Sequence, residues 1–182
     1  MRTPLIAAAL AFATVVPAAG ADVLSPLLPL VDAAAQRLQT AEPVAASKYL
    51  TGGAISDPPR EQQVLDGVAA AAQGQGTDPG YVREVFRDQI DASVSLQHSL
   101  FAYWKIDPAA APVTAPDLAD TRAKIDTLNQ TMVAEIGHRW QELHDPSCPA
   151  ELAAAVDEAA RNRGLDPVFR RALEYATHGY CR

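Results

Sequence analysis

The sequence predicts an all-α fold, a single-domain helical bundle of about six helices. Three observations lead to it. Apolar residues recur at three- and four-residue intervals along most of the 182-residue chain, the repeat of a helix with one buried face. The alternating β-branched runs that mark strands are nearly absent. The pair Asp-Pro opens a periodic segment three times, at Asp57-Pro58, Asp78-Pro79 and Asp166-Pro167, which reads as an N-cap followed by proline at the first helical position.

Residues 1–21 are set apart from the fold. Arg2 supplies a positive charge, 4–16 is apolar, and Ala19-Gly20-Ala21 is a small-residue cleavage pattern. This is the layout of a secretory signal peptide cut near Ala21, and the run is too short to span a bilayer. The expected mature domain is 22–182, secreted or periplasmic. Nothing else in it is long and apolar enough to cross a membrane.

The helices follow in order. Leu27, Leu30, Val31, Ala34 and Leu38 form one stripe, and the helix is expected to run on to Leu50, where Thr51-Gly52-Gly53 stops it. A second helix after Asp57 carries Val64, Leu65, Val68 and Ala72 and ends near Gly74-Gln75-Gly76. The third carries Val82, Val85, Phe86, Ile90, Val94, Phe101 and Trp104. Three prolines make 107–116 a linker between the halves 22–106 and 117–182. Leu118, Ile125, Leu128, Met132, Ile136, Trp140 and Leu143 mark a long fourth helix, and two shorter ones follow, over 150–162 and after Asp166.

Charge and cysteine content narrow the function classes. The net charge is −7, one unit more negative once Arg2 is gone. That argues against a nucleic-acid partner, which requires clustered Lys and Arg. A small anionic ligand stays possible, because a few cations in a pocket override the global sign. The two cysteines, Cys148 and Cys181, read as one disulfide in an oxidising compartment, with two free buried thiols as the alternative. A 33-residue loop of that kind contributes roughly 2–4 kcal/mol by restricting the unfolded chain. No phosphate loop or metal motif is present, and His98, His138, His144 and His178 lack ligand spacing, which makes them surface or rim residues.

The cations carry more information. Arg37 and Lys48 are 11 residues apart on the expected first helix, close to three whole turns, so they share a face. Spacing alone favours a solvated charged face over a site. Ser93 and Gln97 share a face at i and i+4 in the third helix, where they are either aimed at a ligand or part of a satisfied polar seam. Arg60 stands in the first turn after the capping Asp57. A cation there opposes the helix dipole, yet together with the helix N-terminus it attracts an anion.

Taken together, Arg37-x10-Lys48-x8-Asp57-x2-Arg60-Glu61 followed by Ser93-x3-Gln97 resembles the AroQ class of chorismate mutases. The later segment PDLADTRAKIDTLNQTM and the paired cysteines are similar to its secreted gamma subclass. The resemblance spans nearly all of 22–182. It implies the Claisen rearrangement of chorismate to prephenate, without cofactor, metal or covalent intermediate. It also implies roles: Arg37 and Arg60 hold carboxylates, Ser93 bonds the ring carboxylate, and Lys48 and Gln97 address the ether oxygen. Glu61 and the backbone near Asp57 meet the ring hydroxyl, Arg122 from the fourth helix completes the pocket within one chain, and the protein is a homodimer. Relatives carry Gln or Glu at the Gln97 position. Gln donates at any pH, so activity is expected to persist through neutrality. The rival reading is a non-catalytic exported helical protein that binds a small anionic ligand, and a bundle with no ligand would show the same charges diverging into solvent.

Overall fold

The computed structural model describes residues 24–182, so the expected signal peptide and its cleavage site lie outside the described residues. Within them every regular element is a helix. In chain order these are α1 (Leu28–Gln39), α2 (Ala41–Thr51), α3 (Pro58–Gly74), α4 (Pro79–Ile106), a 3-10 turn (Pro108–Ala110), α5 (Leu118–His138), α6 (Trp140–Leu143), α7 (Cys148–Asn162) and α8 (Pro167–Thr177). The three Asp-Pro starts are helix starts. Asp57, Asp78 and Asp166 each accept a backbone N–H of the following first turn.

Eight α-helices stand among the described residues where about six were expected, because two long helices are broken. The first break corrects the expectation that Arg37 and Lys48 share one helix. Pro43 has no N–H to return to the carbonyl of Gln39, and it is disfavoured inside a helix for that reason. Thr40 takes over the junction, its N–H and Oγ1 both donating to the carbonyl of Arg37 at 3.1 and 2.6 Å. Arg37 therefore lies in the last turn of α1 and Lys48 in the last turn of α2. Gly52 then takes φ 69°, the left-handed conformation glycine adopts without strain, and closes α2 as its position suggested. The second break falls at Arg139, where no proline marks it. Two residues earlier, a Cβ on Gly137 would lie 3.2 Å from Thr77 Oγ1 in the α3–α4 loop; the glycine permits that close approach.

Helix α1 is the axis of the molecule, with α4, α5, α7 and α8 packed around it. Leu30, Val31, Ala34 and Leu38, the stripe read from the sequence, are fully buried. Burying a side chain of leucine size contributes about 1.5–3 kcal/mol, and the alanines at 33–35 let neighbouring helices approach. A smaller cluster tacks α2 to the end of α4. There the ring of Tyr49 meets Phe101 and Trp104 edge-on at 5.3 and 5.2 Å.

The C-terminal segment returns to this core. Cys148 and Cys181 form a disulfide, which removes the free-thiol alternative. Beside it Tyr180 is fully buried, its carbonyl accepting the Tyr81 hydroxyl at 2.6 Å. All four histidines are exposed, and no cluster able to hold a metal occurs among the described residues.

Candidate active site

Five helices converge on one cavity, open to solvent, with about 570 Å³ of space between its walls and at its mouth. Arg37 comes from α1, Lys48 from α2, and Asp57, Arg60 and Glu61 from the start of α3. Ser93 and Gln97 come from α4 and Arg122 from α5. All eight ligand-directed residues singled out in the sequence line this space. Val44, Val64, Ile90 and Ile125 supply apolar walls between them. The lining holds four cations and two carboxylates, so the cavity is positive within an acidic protein.

The four cations are held in two different ways. Arg37 is only 5% exposed. Its Nε donates to Asn129 Oδ1 at 2.7 Å and its Nη1 reaches the carbonyl of Gln89 at 3.5 Å. The guanidinium lies over the ring of Phe86, 5.8 Å from its centroid. Among the described residues no carboxylate forms an ion pair with it. Burial pulls Arg37 down to about 10, which still leaves it cationic at neutral pH. Lys48 is similar. Its Nζ donates to the carbonyl of Ile55 and, at 3.1 Å, to Gln97 Oε1. Burial lowers its pKa, opposed in part by the nearby Asp57. Gln97 is 5% exposed and donates its own amide to the carbonyl of Ser93 at 3.2 Å.

The opposite wall is ion-paired. Arg60 Nη2 meets Asp126 at 2.6 Å and Nη1 meets Gln63 at 2.9 Å. Arg122 meets Asp57 at 3.0 Å. Asp57 is thereby doubly used, since its other oxygen caps α3 by accepting the N–H of Arg60. Glu61 is paired with Arg87 at 2.9 Å.

Several of these partners escaped the sequence reading. Asp126 and Asn129 follow Arg122 on α5 at i+4 and i+7, one face of the helix, and that periodicity was the available signal. Phe86 was legible only as part of an apolar stripe, and Gln89 and the Ile55 carbonyl carry no local signal at all.

Comparison with known proteins gives the family. Residues 29–98 match the family model described as chorismate mutase type II. The chain is 63% identical over 166 residues to the secreted chorismate mutase of Mycolicibacterium smegmatis, covering 91% of this chain and 92% of that one. The chain belongs to the AroQ-type chorismate mutases. A second family member, the secreted chorismate mutase of Mycobacterium tuberculosis, is 45% identical over 91% of this chain and 83% of its own length. The crystal structure of a chorismate mutase from Burkholderia thailandensis superposes with a TM-score of 0.82 at 39% identity, over 86% of this chain and 99% of that one. The family helices thus extend through α1–α4, and the likeness to whole relatives reaches α5–α8 as well.

Proposed function

We infer that this protein is an isomerase that converts chorismate to prephenate, with the cavity described above as its active site. One observation carries the placement of the site: Arg37 is a buried guanidinium lining the cavity, and its partners among the described residues are neutral. A buried cation without a counter-ion is costly. A dianionic substrate supplies the missing charge.

The proposed mechanism needs no group that the chain lacks. In the rearrangement the ether carbon–oxygen bond breaks as a carbon–carbon bond forms within one molecule, and no proton or electron leaves it. The protein has two tasks. Arg37 and Arg60 hold the carboxylates so that the flexible side chain stays folded over the ring, which removes rotational freedom before the reaction. Ser93 adds a hydrogen bond to the ring carboxylate, and Glu61 with the backbone near Asp57 orients the ring hydroxyl. Lys48 and Gln97, already in contact with each other, donate to the ether oxygen as negative charge grows there. Donors fixed in advance bind that transition state better than the ground state. Arg122 closes the pocket from α5, which makes 117–182 part of the catalytic unit formed by 22–182.

Export with cleavage near Ala21, to the periplasm or outside the cell, belongs to the same proposal. It is supported by the names of the mycobacterial relatives and by the disulfide. Assembly as a homodimer is proposed from the family resemblance. Loss of chorismate absorbance in the presence of the purified protein tests the activity, with Lys48→Ala as control. Turnover no faster than the uncatalysed rate rejects the enzyme, and a fully active Lys48→Ala rejects the site.

A further inference from the structure

Helix α5 presents three polar side chains to the charged groups of the pocket. Arg122, Asp126 and Asn129 lie at i, i+4 and i+7 and meet Asp57, Arg60 and Arg37 respectively. Two of the three contacts are ion pairs. The third is not: Arg37, the most buried cation, receives an amide.

We propose that Asn129 is a positioning residue for Arg37, one that fixes the guanidinium plane while leaving its charge uncompensated for the substrate. The proposal rests on the reading of Arg37 as a carboxylate-holding group. Asn129 is 6% exposed, and its Oδ1 accepts from Nε at 2.7 Å across 92 residues of chain. A hydrogen bond at Nε pins the planar guanidinium at its inner edge. The outer edge, Nη1 and Nη2, is the fork that suits a carboxylate in bidentate fashion. Among the described residues the only other acceptor for this guanidinium is the Gln89 carbonyl, a long contact from Nη1, and a charged ligand oxygen competes easily with a neutral acceptor at 3.5 Å.

Neutrality is the second half of the argument. An aspartate at 129 would make the same hydrogen bond with nearly the same shape. It would also form a buried ion pair, and the substrate carboxylate would then have to share or displace it. The Gln89 side chain shows the same economy of charge. Its Nε2 donates to the carbonyl of Ala34 at 3.1 Å, bracing α4 against α1 beneath Arg37. The guanidinium is thus enclosed by an amide, a backbone carbonyl and the face of Phe86, a shell in which no group neutralises it.

The test is a set of steady-state assays with chorismate on protein expressed from the full 182-residue chain, with thermal melting as a check on folding. Asn129→Ala is expected to lower kcat by about ten- to a hundredfold, the size of effect that a misplaced substrate group produces. Asn129→Asp keeps the tether and is expected to act chiefly on KM, raising it by about tenfold as the new ion pair competes for Arg37. In an Arg37→Lys background, which has no Nε–H to receive the tether, Asn129→Ala is expected to add less than about twofold, because coupled residues are not additive. A wild-type KM in Asn129→Asp overturns the proposal, and so does a full, additive loss in the Arg37→Lys background. Arg37→Lys as active as the wild type has a different meaning: it removes the role of Arg37 itself.

Discussion

The two walls of the pocket solve the same problem in opposite ways. On the α1–α2 side, Arg37 and Lys48 are held by amide and carbonyl oxygens. On the α3–α5 side, Arg60 and Arg122 are held by Asp126 and Asp57. For Arg37 the difference follows depth, whereas Lys48 is half-buried like Arg60. The Arg60 and Arg122 side chains are 22% and 40% exposed, whereas Arg37 is 5% exposed as a whole. Near solvent an ion pair is easily exchanged for another, since its net strength is small. In the interior it would be tight and would cancel the field the substrate needs. Binding on the inner wall therefore adds a new charge interaction, while on the outer wall it largely swaps one carboxylate for another.

The largest expected effect lies on the inner wall. Arg37→Ala and Lys48→Ala should each lower kcat/KM by about a thousandfold, in line with loss of a preorganised charged donor. Arg60→Ala and Arg122→Ala should cost about ten- to a hundredfold, because part of their charge is already spent on Asp126 and Asp57. Equal losses on both walls in the same assays would erase the distinction.

The pH profile sharpens it further. Lys48 must be protonated to donate, and burial lowers its pKa. The sign is fixed by that direction: activity is full below the lowered pKa and declines as pH rises through it. The alkaline limb of kcat/KM should thus appear below the ordinary lysine range, and in Lys48→Arg variants that retain turnover it should move up to about 10, where Arg37 titrates. No acid limb is expected between pH 5 and 8, since Gln97 donates without titrating. A kcat that collapses in that interval would count against Gln97 at the ether oxygen. The smallest effect belongs to Asp126→Asn, which frees Arg60 and should lower KM by at most about fivefold, the scale of a partly exposed pair. A higher KM would mean that Asp126 orients Arg60 more than it restrains it.

Much of this was legible along the chain because helices announce themselves locally. The stripe from Leu27 to Leu38 is the stripe that is buried, and Asp57, Asp78 and Asp166 cap the helices they were expected to start. The break at Thr40 was also written in the sequence, as Pro43, which the expectation of one helix running on to Leu50 did not take into account. Even so, Arg37 and Lys48 line one cavity, reaching it from two helices. The proposed site residues came from a pattern spread over several helices and not from any one spacing.

What the chain could not disclose is who holds each cation. Arg37, Lys48, Arg60 and Arg122 are equivalent in the sequence: four basic residues on helices. Helix periodicity and capping depend on hydrogen bonds between residues a turn apart, so they can be read from neighbours. The partners Asn129, Gln97, Asp126 and Asp57 are 92, 49, 66 and 65 residues from the cations they meet. Only the packing of α1–α5 brings them together. That packing divides four similar charges into two held by neutral oxygens and two already ion-paired.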